Sequence, residues 1–118
     1  MRINIKASGI ELTPALSSYV NDKVAMLEKL LVHDPAASAD VEIGKRTHHH
    51  KTGDWFFAEI NLHTMGKTIR HVSEESDLYA AIDKMKDGVA EEIRAVEKKK
   101  NTLFKRGSRA IKNLFRGM

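Results

Sequence analysis

The sequence predicts a single α+β domain in the order β-α-β-β-β-α, with a four-stranded sheet and two helices packed on one face of it. Three observations support this fold class. The length of 118 residues suits one compact domain with a short extension. Four short segments alternate apolar and polar residues, and two longer segments repeat apolar residues every three or four positions. A helix between the first two strands makes them parallel with a right-handed crossover, and hairpins join the remaining strands.

The first strand and the first helix occupy the N-terminal third of the chain. Apolar and polar residues alternate over residues 2–8, which predicts a half-buried strand. Thr13 followed by Pro14 is typical of an N-cap and a first helical turn. We expect the helix to end before Asp34, because this residue precedes a proline and therefore avoids the helical region. The apolar face of the helix consists of Leu16, Val20, Val24, Leu27 and Leu31.

Three more strands and a second helix complete the domain. The strands are predicted at residues 41–46, 56–63 and 68–73. In the turn after the third strand, Gly66 is expected to take a positive φ. Ser76 is predicted to cap the second helix, which continues to residue 100 although Gly88 costs about 1 kcal/mol relative to alanine. Its apolar face consists of Leu78, Ile82, Met85, Val89, Ile93 and Val96.

The positive charge is concentrated at the C-terminal end. Residues 98–118 hold eight Lys or Arg and no acid, whereas the first 97 residues hold twelve against all sixteen Asp and Glu. An acidic body joined to a basic segment is a charge layout for meeting a polyanion, either nucleic acid or an anionic membrane surface. Residues 101–118 combine this charge with apolar residues at helical spacing. We therefore predict a domain at residues 1–100 and a basic amphipathic tail that is disordered until it binds.

Three interpretations of this tail remain open. It docks on RNA, it is a solvated end whose pattern is incidental, or it is an interfacial helix for an anionic membrane or a protein groove. The sixteen residues 103–118 of this tail are marginal for an isolated helix in water, so their order is expected to need a partner.

Histidines and aromatics suggest two further sites, for which the structural interpretation is favoured. His48, His49 and His50 stand in a polar loop and could bind a metal with His63 or His71. Successive residues of an extended strand point to opposite faces, so at most two of the three converge, and no metal site is predicted. Trp55, Phe56 and Phe57 place one aromatic on the open face of the sheet, where we expect packing rather than base stacking.

Several function classes are excluded. The chain has no cysteine, which rules out disulfides and thiol nucleophiles. No Ser/His/Asp arrangement or phosphate-cradling glycine loop is present, and the carboxylates are scattered, so we predict no enzyme, no catalytic residue and no cofactor. No apolar run approaches the ~20 residues of a membrane span, and no signal peptide is recognised, so a cytoplasmic protein is expected.

Two segments carry a family resemblance. The residues IELTPALSSYVNDKVAMLEKL (10–30) and SDLYAAIDKM (76–85), with a three-strand segment of the right length between them, resemble the ribosome hibernation family. This family includes hibernation-promoting factor and ribosome-associated inhibitor A, and the chain resembles its short type over residues 2–100. The resemblance implies a fold similar to a double-stranded-RNA-binding domain with an added strand. It also implies that Tyr79, within the second segment, packs the second helix against the sheet.

The same resemblance implies a function. Such proteins bind the small ribosomal subunit through rRNA, occlude the channel for messenger and transfer RNAs, and silence translation in stationary phase or stress. The family commonly has basic residues at the positions that align with Gly88, Glu91 and Ala95, and often a lysine at Met26. The expected RNA contacts here are Lys23, Lys45, Arg46, Lys84, Arg94, Lys98, Lys99, Lys100, Lys105, Arg106, Arg109, Lys112 and Arg116.

The expected partner is therefore the small ribosomal subunit, bound by a monomer. Whether a separate ribosome modulation factor cooperates is left open by the sequence. The alternative is a diverged family member that acts as a protein- or membrane-interaction module through its basic amphipathic tail.

Overall fold

The computed structural model describes residues 1–31, 34–47 and 53–116, and it describes side chains only as far as residue 99. The elements are β1 (Arg2–Ser8), α1 (Pro14–Glu28), β2 (Ser38–Arg46), β3 (Trp55–Thr64), β4 (Lys67–Glu75) and α2 (Leu78–Arg116). The strands form one sheet in the order β1-β2-β3-β4. β1 is parallel to β2, and the other two pairs are antiparallel. The predicted fold class and element order are confirmed.

The hydrophobic core lies between one face of the sheet and the two helices. Each strand directs alternate side chains to this face, and each helix contributes the apolar stripe that its periodicity predicts. Full burial of one such side chain contributes roughly 1.5–3 kcal/mol to the free energy of unfolding. The largest fully buried side chains are those of Leu27, Ile43, Ile60, Leu62, Ile82, Met85, Ile93, Val20, Val24 and Val89.

Helix α1 begins as predicted and ends earlier than predicted. The hydroxyl of Thr13 accepts a hydrogen bond from the backbone N–H of Leu16 at 3.2 Å, which satisfies one of the free donors of the first turn. The α-helix ends at Glu28, and a tight turn follows in which the N–H of Leu31 donates to the Glu28 carbonyl. Leu31 is nevertheless buried. The apolar spacing therefore predicted the burial of Leu31 correctly, but the predicted helix was too long.

Helix α2 differs from the prediction at both ends. The cap is Asp77 rather than Ser76, because the Asp77 carbonyl accepts from the N–H of Ala81 at 3.0 Å and its carboxylate accepts from the N–H of Tyr79 at 3.3 Å. At the other end the helix continues to Arg116. The predicted boundary between domain and tail falls inside one helix, and the order of the tail in the free protein stays a prediction.

The β3–β4 turn is fastened by a carboxylate from outside the hairpin. Met65 and Gly66 both have positive φ, 51° and 70°, as a type I′ turn requires. The carboxylate of Asp34 accepts hydrogen bonds from the Met65 N–H at 2.9 Å and from the Thr64 hydroxyl at 2.7 Å. These bonds, together with one from the N–H of Ala36, lower the pKa of Asp34. The segment after α1 is thereby attached to the tip of the hairpin.

Candidate nucleic-acid interface

The face of the sheet opposite the helices carries a hydrogen-bonded chain across all four strands. The amide of Asn4 on β1 donates to the Asp40 carboxylate on β2 at 3.0 Å. The other oxygen of that carboxylate lies 3.0 Å from Nε2 of His63 on β3, and Nδ1 of the same ring lies 3.0 Å from the hydroxyl of Thr68 on β4. The bond from Asn4 and the bond to His63 lower the pKa of Asp40. Side chains of this face are therefore used to join strands.

Arginine and carboxylate side chains pair over the rest of this open face. Arg46 lies 4.3 Å from the centroid of the Phe57 ring and donates to Glu74 at 2.8 Å. Arg70 donates to Glu59 at 2.9 Å. Phe57 is buried on this face, where an aromatic was expected to pack. Because acids engage Arg46 and Arg70, these two cations of the open face offer a polyanion little unpaired positive charge.

Three of the predicted RNA contacts, Lys45, Arg46 and Lys84, lie at the end of the sheet where β2 and β4 terminate. Lys45 pairs with Asp54 at 2.9 Å, and Lys84 pairs with Glu75. Lys45 and Arg46 are consecutive in a strand, so they project to opposite faces and do not form one basic patch. Pairs between exposed side chains contribute only about 0.2–1 kcal/mol, so a phosphate group can displace the carboxylate.

Lys23, another predicted contact, belongs to a cluster between the two helices. Its ammonium lies 3.2 Å from the Asp83 carboxylate and 5.3 Å from the centroid of the Tyr19 ring. The Tyr19 hydroxyl donates to the same carboxylate oxygen at 2.7 Å. This hydrogen bond, followed by desolvation, raises the pKa of Tyr19 to about 12. Desolvation acts to raise the pKa of Asp83, but the bonds from Tyr19 and Lys23 outweigh it and lower that pKa.

Tyr79 completes this interhelical cluster, and its predicted role was wrong. Its ring is 43% exposed and meets the Tyr19 ring edge to face, with centroids 4.8 Å apart. Tyr79 therefore contacts α1 rather than packing α2 on the sheet. The sequence offers a partial signal, since Tyr79 and Asp83 stand four residues apart on one helical face. Their partners on α1 are sixty or more positions away, which periodicity does not reveal.

The remaining predicted RNA contacts lie along α2, at increasing distance from the end of the sheet. Arg94 and Lys99 are exposed. At 1.5 Å per residue, Arg94 lies about 15 Å along the helix from Lys84. The structure therefore separates the predicted cations into three groups. One lies at the end of the sheet, Lys23 lies between the helices, and the third begins at Arg94 and continues along α2. Lys100, Lys105, Arg106, Arg109, Lys112 and Arg116 occupy later positions of the same helix, beyond the described side chains.

The positions at which the family is expected to be basic have different surroundings. Glu91 and Ala95 are exposed on α2, and Met26 on α1 is 49% exposed. Gly88 is different, because the ring of His71 on β4 fills the space in which its Cβ would stand. A cation is therefore sterically possible at three of these positions, whereas at the fourth the His71 ring would first have to move.

The described residues supply no metal centre. His63 and His71 lie on opposite faces of the sheet, because His63 bonds to open-face residues and His71 packs under α2. His48, His49 and His50 lie outside the described residues. Within residues 1–31, 34–47 and 53–116, no group of three His, Cys, Asp or Glu could hold a metal ion. In the same part of the chain, no helix has the length and apolarity needed to cross a membrane.

Comparison with known proteins decides the family. Residues 3–101 match the family model described as Sigma 54 modulation protein / S30EA ribosomal protein. The chain belongs to this family. The S30EA match includes the whole sheet, α1 and the part of α2 that packs on them. Its end at residue 101 leaves Lys105, Arg106, Arg109, Lys112 and Arg116 outside the matched segment.

Relatives of the S30EA chain carry names that refer to ribosome hibernation. The ribosome hibernation promoting factor of Klebsiella oxytoca is 30% identical over 93 residues, which cover 79% of this chain and 90% of the relative. The ribosome hibernation promotion factor of Bacillus subtilis is 29% identical over 105 residues, or 89% of this chain. That alignment covers 53% of the Bacillus protein, so this chain spans about half the length of that relative.

Solved structures confirm the fold of the S30EA chain. The N-terminal domain of Thermus thermophilus Protein Y superposes with a TM-score of 0.69 and 28% identity, covering 81% of this chain and 99% of that one. A ribosomal subunit interface protein from Coxiella burnetii superposes with a TM-score of 0.64. Its coverage is 83% of this chain and 99% of that one, and at 16% identity it supports the fold alone.

Proposed function

We propose that the chain is a ribosome hibernation factor that binds the small ribosomal subunit through rRNA and occludes the channel for messenger and transfer RNAs. The observation that carries this proposal is the S30EA match over residues 3–101, together with relatives named ribosome hibernation promoting factor. Occlusion is a steric function that needs a well-packed body and no catalytic group. The single core between sheet and helices supplies such a body.

Charge favours the side of α2 and its C-terminal half as the surface that meets rRNA. On the open face of the sheet, Arg46 and Arg70 are engaged with Glu74 and Glu59. Along α2, eight Lys and Arg follow from residue 98 onward without an acid. Cations that replace counterions around phosphates supply most of the sequence-independent affinity for nucleic acid. We therefore propose Lys98, Lys99 and Lys100 with the later α2 cations as leading contacts.

The cations of the body are proposed as secondary contacts. Lys45, Arg46 and Lys84 are held by carboxylates, so each must exchange an acid for a phosphate. Lys23 makes the same exchange only by leaving Asp83. Arg94 is exposed and forms no ion pair with another described residue. The four paired contacts are therefore expected to contribute less per residue than the uninterrupted basic run, whereas Arg94 needs no such exchange.

Sedimentation with purified bacterial ribosomes and separated subunits tests the proposal. The full chain is compared, over a salt series, with a variant in which Lys105, Arg106, Arg109, Lys112 and Arg116 become Gln. Wild type is expected to pellet with the small subunit. Since each lost phosphate contact changes the log–log salt slope by about 0.7–0.9, the variant should flatten the slope by about 3.5–4.5. Absence of wild-type binding at low salt would contradict the proposal.

A matched variant separates rRNA binding from the alternative, a protein- or membrane-interaction module. Replacing Leu103, Phe104, Ile111, Leu114 and Phe115 by Ser keeps every tail cation and removes the apolar residues. Under the proposal this variant pellets with the small subunit nearly as wild type does. Equal or greater loss than in the Gln variant would favour an apolar partner.

Occlusion has its own readout. A fluorescent messenger RNA and a deacylated transfer RNA are bound to small subunits, and the protein is then titrated. Release of both ligands at protein concentrations that saturate the subunit is expected. Simultaneous binding of protein, messenger and transfer RNA would refute occlusion while leaving ribosome association intact. Light scattering of the free chain checks the proposed monomer.

A further inference from the structure

An aromatic surface lies in the groove between α1 and α2. Tyr79 is 43% exposed, and it is one of four exposed large hydrophobic side chains in the described part of the chain. The Tyr19 ring meets it at a centroid distance of 4.8 Å and an interplanar angle of 87°. A perpendicular contact of this kind covers at most one face of a ring, so Tyr19 leaves at least one face of Tyr79 uncovered.

The support beneath this ring is firmly built. The Tyr19 hydroxyl donates to Asp83 at 2.7 Å, and the Lys23 ammonium binds the same carboxylate at 3.2 Å while lying over the Tyr19 ring. Tyr19 is thus held between the helices by its bond to Asp83, by the Lys23 ammonium over its ring and by the Tyr79 ring. Tyr79 itself is on the first turn of α2, whose start is capped by Asp77. A fixed ring loses little conformational entropy when it binds a ligand.

The two lysines of this groove are already paired with acids. Lys23 is paired with Asp83, and Lys86 is paired with Asp87 at 2.7 Å. Lys23 is only 25% exposed and Lys86 only 21%. The groove is therefore a poor phosphate site, and the group that suits it is flat, uncharged and aromatic.

We propose that Tyr79 is a stacking platform for an unpaired nucleobase of the rRNA, with Tyr19 and Asp83 as positioning residues. This inference rests on the proposed function, because rRNA is the polyanion that brings the base. Recognition of structured RNA outside its helices relies on bases stacked on aromatic side chains. Stacking tolerates any base and is independent of the phosphate contacts. The groove would therefore bind a base, while the basic run of α2 binds phosphates.

Ribosome binding by full-length variants at Tyr79 tests the inference. Tyr79→Phe keeps the ring, Tyr79→Leu keeps an apolar side chain without a π face, and Tyr79→Ala removes both. We expect Phe to bind purified small subunits within about twofold of wild type. Leu and Ala should each weaken binding by about 5- to 150-fold, which is the measured range for one stacked base. Their salt slopes should equal that of wild type, because no phosphate contact is lost.

Each outcome assigns the role of Tyr79. Thermal unfolding of every variant is measured first, and only variants that melt with a wild-type midpoint are compared. Wild type that fails to bind small subunits would defeat the proposed function itself. Wild type that binds while Ala binds equally well would defeat the stacking inference alone. Leu that equals Phe would show an apolar protein contact, and a flattened salt slope in Ala would show an electrostatic role, so either would overturn it.

Discussion

The imidazole of His71 on β4 occupies the space in which a side chain at Gly88 of α2 would begin. Atoms Nε2, Cε1 and Cδ2 of the ring all lie within 3 Å of an ideal Cβ at position 88, so a side chain there would force the ring to move. A glycine in a helix interior costs about 1 kcal/mol relative to alanine. Packing of the ring directly on the helix backbone offsets this cost and attaches α2 to the edge strand β4.

Gly88→Ala is expected to destabilise the protein although alanine favours the helix. The added Cβ displaces the His71 ring, and overpacking of this kind costs about 1–3 kcal/mol. In Gly88→Ala combined with His71→Ala the conflict is removed, so the double variant should be more stable than the sum of the two single effects. Urea unfolding of the four proteins measures this coupling. A single Gly88→Ala variant that is as stable as wild type would contradict the steric conflict.

Cations restored on α2 should strengthen ribosome binding more at some positions than at others. Glu91 and Ala95 are exposed, so Glu91→Lys and Ala95→Lys should each steepen the log–log salt slope by about 0.7–0.9 if the new charge reaches a phosphate. Gly88→Lys should give a smaller gain, because its side chain must first displace the His71 ring. Sedimentation with small subunits provides the measurement. Equal gains at all three positions would show that His71 moves aside freely.

The Tyr19–Asp83 bond predicts an unusual tyrosine titration. In a Tyr79→Phe background Tyr19 is the one remaining tyrosine, and its absorbance at 295 nm should change with a midpoint near pH 12. Because this pKa is raised on folding, the bond stabilises the protein fully below pH 10 and loses its effect as the pH rises toward 12. Asp83→Asn should move the midpoint down toward 10. An unchanged midpoint would mean that Asp83 is not the cause.

The Asp34 clamp predicts a stability difference at the acid side. The bonds from the Met65 N–H and the Thr64 hydroxyl hold the pKa of Asp34 below its ordinary value. The clamp therefore contributes in full above that ordinary value, near 4, and is lost as the pH falls through the lowered pKa. The urea midpoints of wild type and Asp34→Asn should differ at pH 7 and converge at acid pH. A constant gap across the pH range would exclude the ionised clamp.

Much of the fold was readable from periodicity because burial and local turn chemistry agree. Residues 2–8 alternate and are followed by Gly9, and β1 has those bounds. Thr13 and Pro14 specify the start of α1 through groups within one turn. The end of α1 and the cap of α2 were misplaced by a few residues. At those points neighbouring residues have similar local preferences, and the choice between Ser76 and Asp77 depends on how the chain leaves β4.

The candidate site was less predictable for a physical reason. Tyr19 and Asp83 meet because two helices lie side by side on the sheet, and no spacing along the chain encodes that distance. The partners of Lys45, Arg46 and Lys84 are likewise supplied by other elements. A sequence shows that a cation exists, whereas the fold decides whether its charge is already engaged.

The row of side-chain hydrogen bonds from Asn4 through Asp40 and His63 to Thr68 also helps to specify the register in which the strands pair. A slip of β1 by one residue would remove Asn4 from Asp40 and would turn the apolar side chains of the strand from the core to water. The same logic holds β4 at the opposite edge through Thr68. Two sets of contacts thus specify the register of the outer strands: the hydrophobic core on one face of the sheet and the polar row on the other. A sheet with a shifted register would lose both sets of contacts. Strand pairings close to the native one, which could trap a folding chain, are therefore disfavoured by both.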